Sequence, residues 1–177
     1  YEFRVNIYIE TSFHGPSRRT MAAGIYVVEY IKSDGTEVTR QGIVCRREVL
    51  ENALALEALV LALERLEKNC SVRVNTECDH VLNTIGNHWL SQWENNEWRN
   101  AKNKPVKNKE FWEKIAEDQR KHMITIQKEK NKYQTLMEDA MKKCLEIFEQ
   151  DGDDKAIYRF DFEDMIFHKQ KEDKKCL

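Results

Sequence analysis

The residues best equipped for chemistry lie in one short stretch that holds all four tryptophans, Trp89, Trp93, Trp98 and Trp112. Between Trp98 and Lys109 there are five cations (Arg99, Lys102, Lys104, Lys107 and Lys109) and no acid. Aromatic faces interleaved with cations stack on bases or sugars while the cations neutralise phosphates. The remainder of the chain is almost charge-balanced, so this concentration is local. Trp89 and Trp93 are i, i+4 neighbours, a spacing that also packs indoles against each other on a helix.

The spaced tryptophans, the Lys-Pro-Val-Lys-Asn ending at Asn108 and the closing Phe111-Trp112 together resemble the handle, or basic protrusion, of the type 1 ribonuclease H family. In that family the handle grips the DNA strand of an RNA/DNA hybrid. The resemblance therefore implies a nucleic-acid partner, engaged at about residues 88–112 by Trp89, Trp93, Trp98, Arg99, Lys102, Lys104, Lys107 and Asn108. It runs from about Phe3 to about Phe148.

The same resemblance implies where catalytic carboxylates belong. The family hydrolyses a phosphodiester with two Mg²⁺ ions, which take hard oxygen ligands at about 2.1 Å and need closely placed carboxylates. Its first acid is an aspartate leaving strand one in an Asp-Gly-Ser; here the corresponding residues are Glu10-Thr11-Ser12. Its third is the aspartate of a Thr-Asp-Ser, here Thr76-Glu77-Cys78. Its last lies in the final helix, where Asp139 is the best match and Glu138 its neighbour. The second acid belongs to the long helix, and aligning the alanines and leucines that follow it puts Ala55 in its place. Glu57 is about 200° around the helix from Ala55, and Glu51 lies one turn, about 5.4 Å, earlier. Glu51 is the possible substitute under a shifted register. The loop histidine of the family is missing between Lys128 and Glu138. Metal ligation is thus expected at Glu10, Glu77 and Asp139 only if a metal is bound at all. Mg²⁺ or Mn²⁺ is the cofactor if activity is retained, and none is expected otherwise.

These residues need a scaffold. Residues 3–9 alternate apolar and polar and are rich in branched side chains, as in a strand. Residues 23–31 and 37–45 read as two more strands joined through the Asp34-Gly35 turn. Helical spacing of leucine and alanine over residues 46–68 predicts one long amphipathic helix. Residues 71–76 read as a strand, the tryptophan-rich stretch as helices around a basic loop, residues 123–127 as a fifth strand and residues 135–149 as a last helix. Three antiparallel strands followed by right-handed crossovers predict an α/β fold, a mixed five-stranded sheet with two parallel strands added and helices on both faces. That order is also the order of the ribonuclease H fold.

Residues 1–149 are expected to form this domain. After a polar break at Asp151–Asp154, residues 150–177 form an extension in which Tyr158, Phe160 and Phe162 alternate with charged residues. This strip, residues 157–167, is expected either to pack on the domain or to dock a protein partner, because exposed aromatics are costly.

With 41% hydrophobic residues, 34% charged residues and a net charge of −2, the chain can build a core but excludes wholesale polyanion binding. No apolar run approaches the roughly 20 residues of a membrane span. The chain opens at Tyr1 with no signal peptide and is expected to be a fragment. Its five cysteines include no Cys-x-x-Cys pair and its five histidines are scattered. This pattern points to reduced thiols in an intracellular protein, nuclear or cytoplasmic, and away from a disulfide framework or a zinc site.

Two glutamates in place of aspartates, alanine in place of a glutamate and a lost loop histidine point to a catalytically impaired domain. The expected role is a nucleic-acid-binding (RNA/DNA hybrid or RNA) or protein-interaction module. The alternative is an active, divergent metal-dependent endonuclease that cleaves the RNA strand of RNA/DNA hybrids.

Overall fold

Val5, Ile7 and Ile9 are buried while Arg4, Asn6 and Tyr8 between them are not, the two-residue period of a strand with one face on a core. This strand, β1 (Phe3–Thr11), pairs antiparallel with β2 (Arg18–Ile31), which pairs antiparallel with β3 (Glu37–Leu50). A helix, α1 (Glu51–Leu63), crosses over to β4 (Cys70–Asn75), which lies parallel to β1. Three helices, α2 (Asp79–Gly86), α3 (Trp89–Asn95) and α4 (Lys109–Lys121), lead to β5 (Met123–Gln127), parallel to β4. After α5 (Gln134–Gln150) come β6 (Ile157–Glu163) and β7 (Ile166–Glu172). A computed structural model describes residues 3–13, 18–150, 157–163 and 166–172, with the backbone alone at 18–20 and in β6 and β7.

The five expected strands form the mixed sheet, three antiparallel and two parallel, and the first four helices and α5 cover opposite faces. One core joins β1, β2 and β4 to α1, α2, α3 and α4. The other joins Ile25 and Val27 of β2 and Ile43 and Cys45 of β3 to Met137, Met141 and Phe148 of α5. The sheet is wider than expected, because β6 pairs with the outer edge of β3 and β7 with β6, giving the order β5-β4-β1-β2-β3-β6-β7. The burial of Tyr158, Phe160 and Phe162 lies outside the described residues, as does the polar break before them.

The helix expected over residues 46–68 is shorter, and it is not amphipathic. Residues 46–50 stay in β3, hydrogen-bonded in register to the start of β2. All ten residues from Leu54 to Leu63 are buried, because the sheet covers one side of α1 and α2 and α4 cover the other. Glu57 inside this helix is neutralised by the fork of Arg46 from β3, which donates to both its oxygens.

Candidate functional site

Because β1 and β4 are parallel, with Tyr8 opposite Asn75, Glu10 and Glu77 leave the sheet level with each other two residues further on. They line a cavity of about 180 Å³ whose wall also carries Glu51, Thr76, Cys78 and Glu138. Glu10 is half-buried and Glu77 exposed. Burial, reinforced by the neighbouring Asp79 carboxylate, raises the pKa of Glu51 above the usual carboxylate value. Burial also raises the pKa of the Cys78 thiol, which keeps that residue a neutral part of the wall.

Two placements differ from the sequence alignment. Ala55 is in the core at 1% exposure, and the carboxylate that α1 brings to the cavity belongs to Glu51. The reason is the extension of β3 to Leu50, which starts the helix at Glu51 and places its first residue in the cavity at the ends of β1 and β4. From α5, Glu138 reaches the cavity, whereas Asp139 lines a neighbouring depression with Ser12 and Lys142.

One residue of the site was not legible in the sequence. Asn131, in the loop before α5, is buried, and its Nδ2 donates to Glu10 Oε1 at 3.0 Å. The pair is 121 residues apart and carries no local motif.

Four carboxylates are the hard donors that Mg²⁺ or Mn²⁺ prefers. Among the described residues no three Asp, Glu, His or Cys side chains converge closely enough to hold an ion. The arrangement supplies a polar, acid-lined cavity.

The basic loop is a built element. Arg99 and Pro105 form an isolated antiparallel bridge, Asn100 N donates to Lys104 O at 2.8 Å and Val106 N to Trp98 O at 3.0 Å. Asn100 Oδ1 accepts the backbone N–H of both Lys102 and Lys104 at 3.0 Å, and Arg99 Nη1 donates to Asn103 O. Trp98, Asn103 and Asn108 take left-handed φ values of 60°, 61° and 59°, so the loop turns sharply and displays Arg99, Lys102, Lys104 and Lys107 to solvent. The tryptophans anchor it. Trp112 is fully buried, Trp93 and Trp98 are half-buried against the core, and Trp89 is half-buried beside Trp93. Asn108 stands at the N-terminus of α4, where its carbonyl accepts from Phe111 and Trp112.

A mixed sheet with acids at the ends of its adjacent parallel strands and a basic loop between two helices defines a ribonuclease H-like protein. Residues 3–132 match the RNase H family profile, and the chain belongs to that family. The match ends before α5. Ribonuclease H of Clostridium botulinum (strain Hall) is 34% identical over 106 residues, covering 58% of this chain and 71% of that one. Among solved structures the chain is similar to LC9-RNase H1, a type 1 RNase H with the type 2 active-site motif. The TM-score is 0.63 at 16% identity, over 83% of this chain and 72% of that one. It is also similar to a foamy viral protease-reverse transcriptase in complex with dsDNA, with TM-score 0.61 and 17% identity over 81% and 95% of the two chains. At such identities the structural likeness bears on the fold alone.

Proposed function

We propose that this chain is a ribonuclease H domain that binds nucleic acid, RNA/DNA hybrid or RNA, through its basic loop and has impaired cleavage. The observation that carries the reading is a contrast. The cation-bearing loop is ordered by its own hydrogen bonds, whereas the four acids at the cavity are all glutamates and no three of them converge. A methylene displaces a carboxylate by more than about 1 Å, and misplacement on that scale costs on the order of 10²-fold in rate. Binding needs only the loop, whose phosphate contacts are independent of the cavity.

A second reading, an active divergent endonuclease that cleaves the RNA strand of hybrids, is favoured by one observation. With Glu51 at the cavity, α1 contributes a carboxylate after all. Incubating the protein with a labelled RNA/DNA hybrid and Mg²⁺ or Mn²⁺, with fluorescence anisotropy alongside, separates the readings. Saturable binding without cleavage is the expected result. Metal-dependent cleavage abolished by Glu77→Ala would establish the second reading.

The reading carries an intracellular setting with it, supported by Cys45, Cys70, Cys78 and Cys144, which are buried free thiols. No helix among the described residues is long and apolar enough to cross a membrane. Docking of a protein partner through residues 157–167 remains part of the proposal, with β7 as the outermost strand on that side of the sheet.

A further inference from the structure

Asn100 is the hub of the basic loop. Its Oδ1 accepts the backbone N–H of Lys102 and that of Lys104, each at 3.0 Å. Its own N–H donates to Lys104 O at 2.8 Å, and its carbonyl accepts from Asn103 N at 2.9 Å. Among the described residues neither lysine N–H meets another acceptor. The Asn100 side chain therefore holds both lysine-bearing residues from inside the turn, as short polar side chains do when they replace a main-chain acceptor two residues on.

The two ends of the turn are fixed by other groups. Val106 N donates to Trp98 O at 3.0 Å, and Asn96 Nδ2 donates to Arg99 O at 2.9 Å. Val106 is buried in the same core as Trp112, and Trp98 packs against it. Between these ends Ala101, Lys102, Asn103 and Lys104 are exposed. They bury no apolar side chain, so their order comes from hydrogen bonds, those to Asn100 and the one from Arg99 Nη1 to Asn103 O at 3.0 Å. The amide oxygen is a neutral acceptor. An aspartate would hold the same N–H groups but would set a negative charge between the lysines, opposing a phosphate.

We infer that Asn100 is the positioning residue of the basic loop: its side-chain oxygen sets Lys102 and Lys104 in the arrangement that binds phosphates, without itself touching the nucleic acid. The inference rests on the proposed binding through this loop and states where part of its affinity arises. A loop ordered before its ligand arrives loses less entropy on binding. The number of phosphates neutralised sets the salt dependence, whereas order sets affinity at a given salt dependence. Asn100 acts on the second and leaves the first alone.

The test compares the parent, Asn100→Ala and Asn100→Asp in two measurements: amide exchange at Lys102 and Lys104 by NMR, and anisotropy with an RNA/DNA hybrid across a salt titration. Asn100→Ala is expected to lose protection at both amides and to bind about tenfold more weakly, the scale of ordering one further backbone residue on binding. Its slope of log affinity against log salt is expected to match the parent's. Asn100→Asp is expected to keep both amides protected. An Asn100→Ala variant that keeps its protection, binds as tightly as the parent or changes the salt slope overturns the inference, as does loss of protection in Asn100→Asp. If Asn100→Ala does not fold, Asn100→Gln carries the acceptor one methylene further out and is required to show the same two losses; a Gln variant that behaves as the parent overturns the inference. A parent that binds no hybrid overturns the proposed function, and amide exchange still decides whether Asn100 orders the loop, so the two failures are distinguishable.

Discussion

The indole of Trp93 meets that of Trp112 edge-on, with centroids 5.9 Å apart and planes at 67°, joining the helix that enters the basic loop to the one that leaves it. His80 packs edge-on against Trp112 at 5.6 Å, and the Arg120–Glu94 ion pair bridges the same two helices at the surface. The loop is thus mounted on aromatic packing that belongs to the core.

Trp112→Ala is expected to cost about 3–5 kcal/mol, the range for deleting a fully buried indole. Trp93→Ala, half-buried, is expected to cost roughly 2 kcal/mol, including the loss of the ring pair. Urea denaturation measures both. Trp93→Phe is expected to recover most of the loss, since a ring still reaches Trp112.

Replacing Lys102, Lys104 and Lys107 by glutamate is expected to weaken hybrid binding sharply while leaving the melting temperature nearly unchanged, because all three are exposed. The slope of log affinity against log salt is expected to flatten by about 2–3, since each phosphate that a lysine neutralises accounts for roughly 0.7–0.9 of it. A salt titration by anisotropy reads this, and an unchanged slope would assign the loop a structural role only.

Glu51 and Ala55 give opposite outcomes. Glu51→Ala removes a partly desolvated carboxylate and is expected to leave stability within about 1 kcal/mol of the parent or slightly improve it. Ala55→Glu forces a charge into the closed core and is expected to cost at least about 3 kcal/mol. Circular dichroism melts compare the two. A well-folded Ala55→Glu variant would place the helix in the alternative register.

Asp118 gives a pH signature. Burial raises its carboxyl to about 6, the largest cause, against the neighbouring cations Lys121 and Lys114. The folded state therefore holds its proton where the unfolded chain has released it. This costs stability progressively as pH rises from about 4 to about 6, and the deficit persists above that. Asp118→Asn is expected to raise the melting temperature at pH 7.5 and to leave it unchanged near pH 3.5. Equal gains at both values would refute the buried-acid account.

Removal of residues 155–177 is expected to leave the β3 edge at Gln41–Cys45 without its β6 partner. Exposed strand edges pair with other chains, so the truncated protein is expected to self-associate with rising concentration. Light scattering checks this, and a monodisperse truncated monomer would remove the role assigned to the strip.

Much was legible in the sequence. The alternation in β1, the turn before β3, and the tryptophans and lysines around Pro105 each act within a few residues, where local stereochemistry and side-chain period decide the outcome. They determined the five core strands and the position of the basic loop. Three features depended on tertiary structure. The start of α1 was set by pairing with β2, which holds residues 46–50 in the sheet and so puts Glu51, and not Ala55, at the cavity. Burial on every side of α1 came from the helices packed over it, which no periodicity within α1 encodes. The contact between Asn131 and Glu10 joins a loop near the end of the domain to its first strand, and only the closed sheet brings them within 3.0 Å. Short-range preferences are written along the chain, whereas helix register and the partner of a buried carboxylate are decided by which elements compete for the same space.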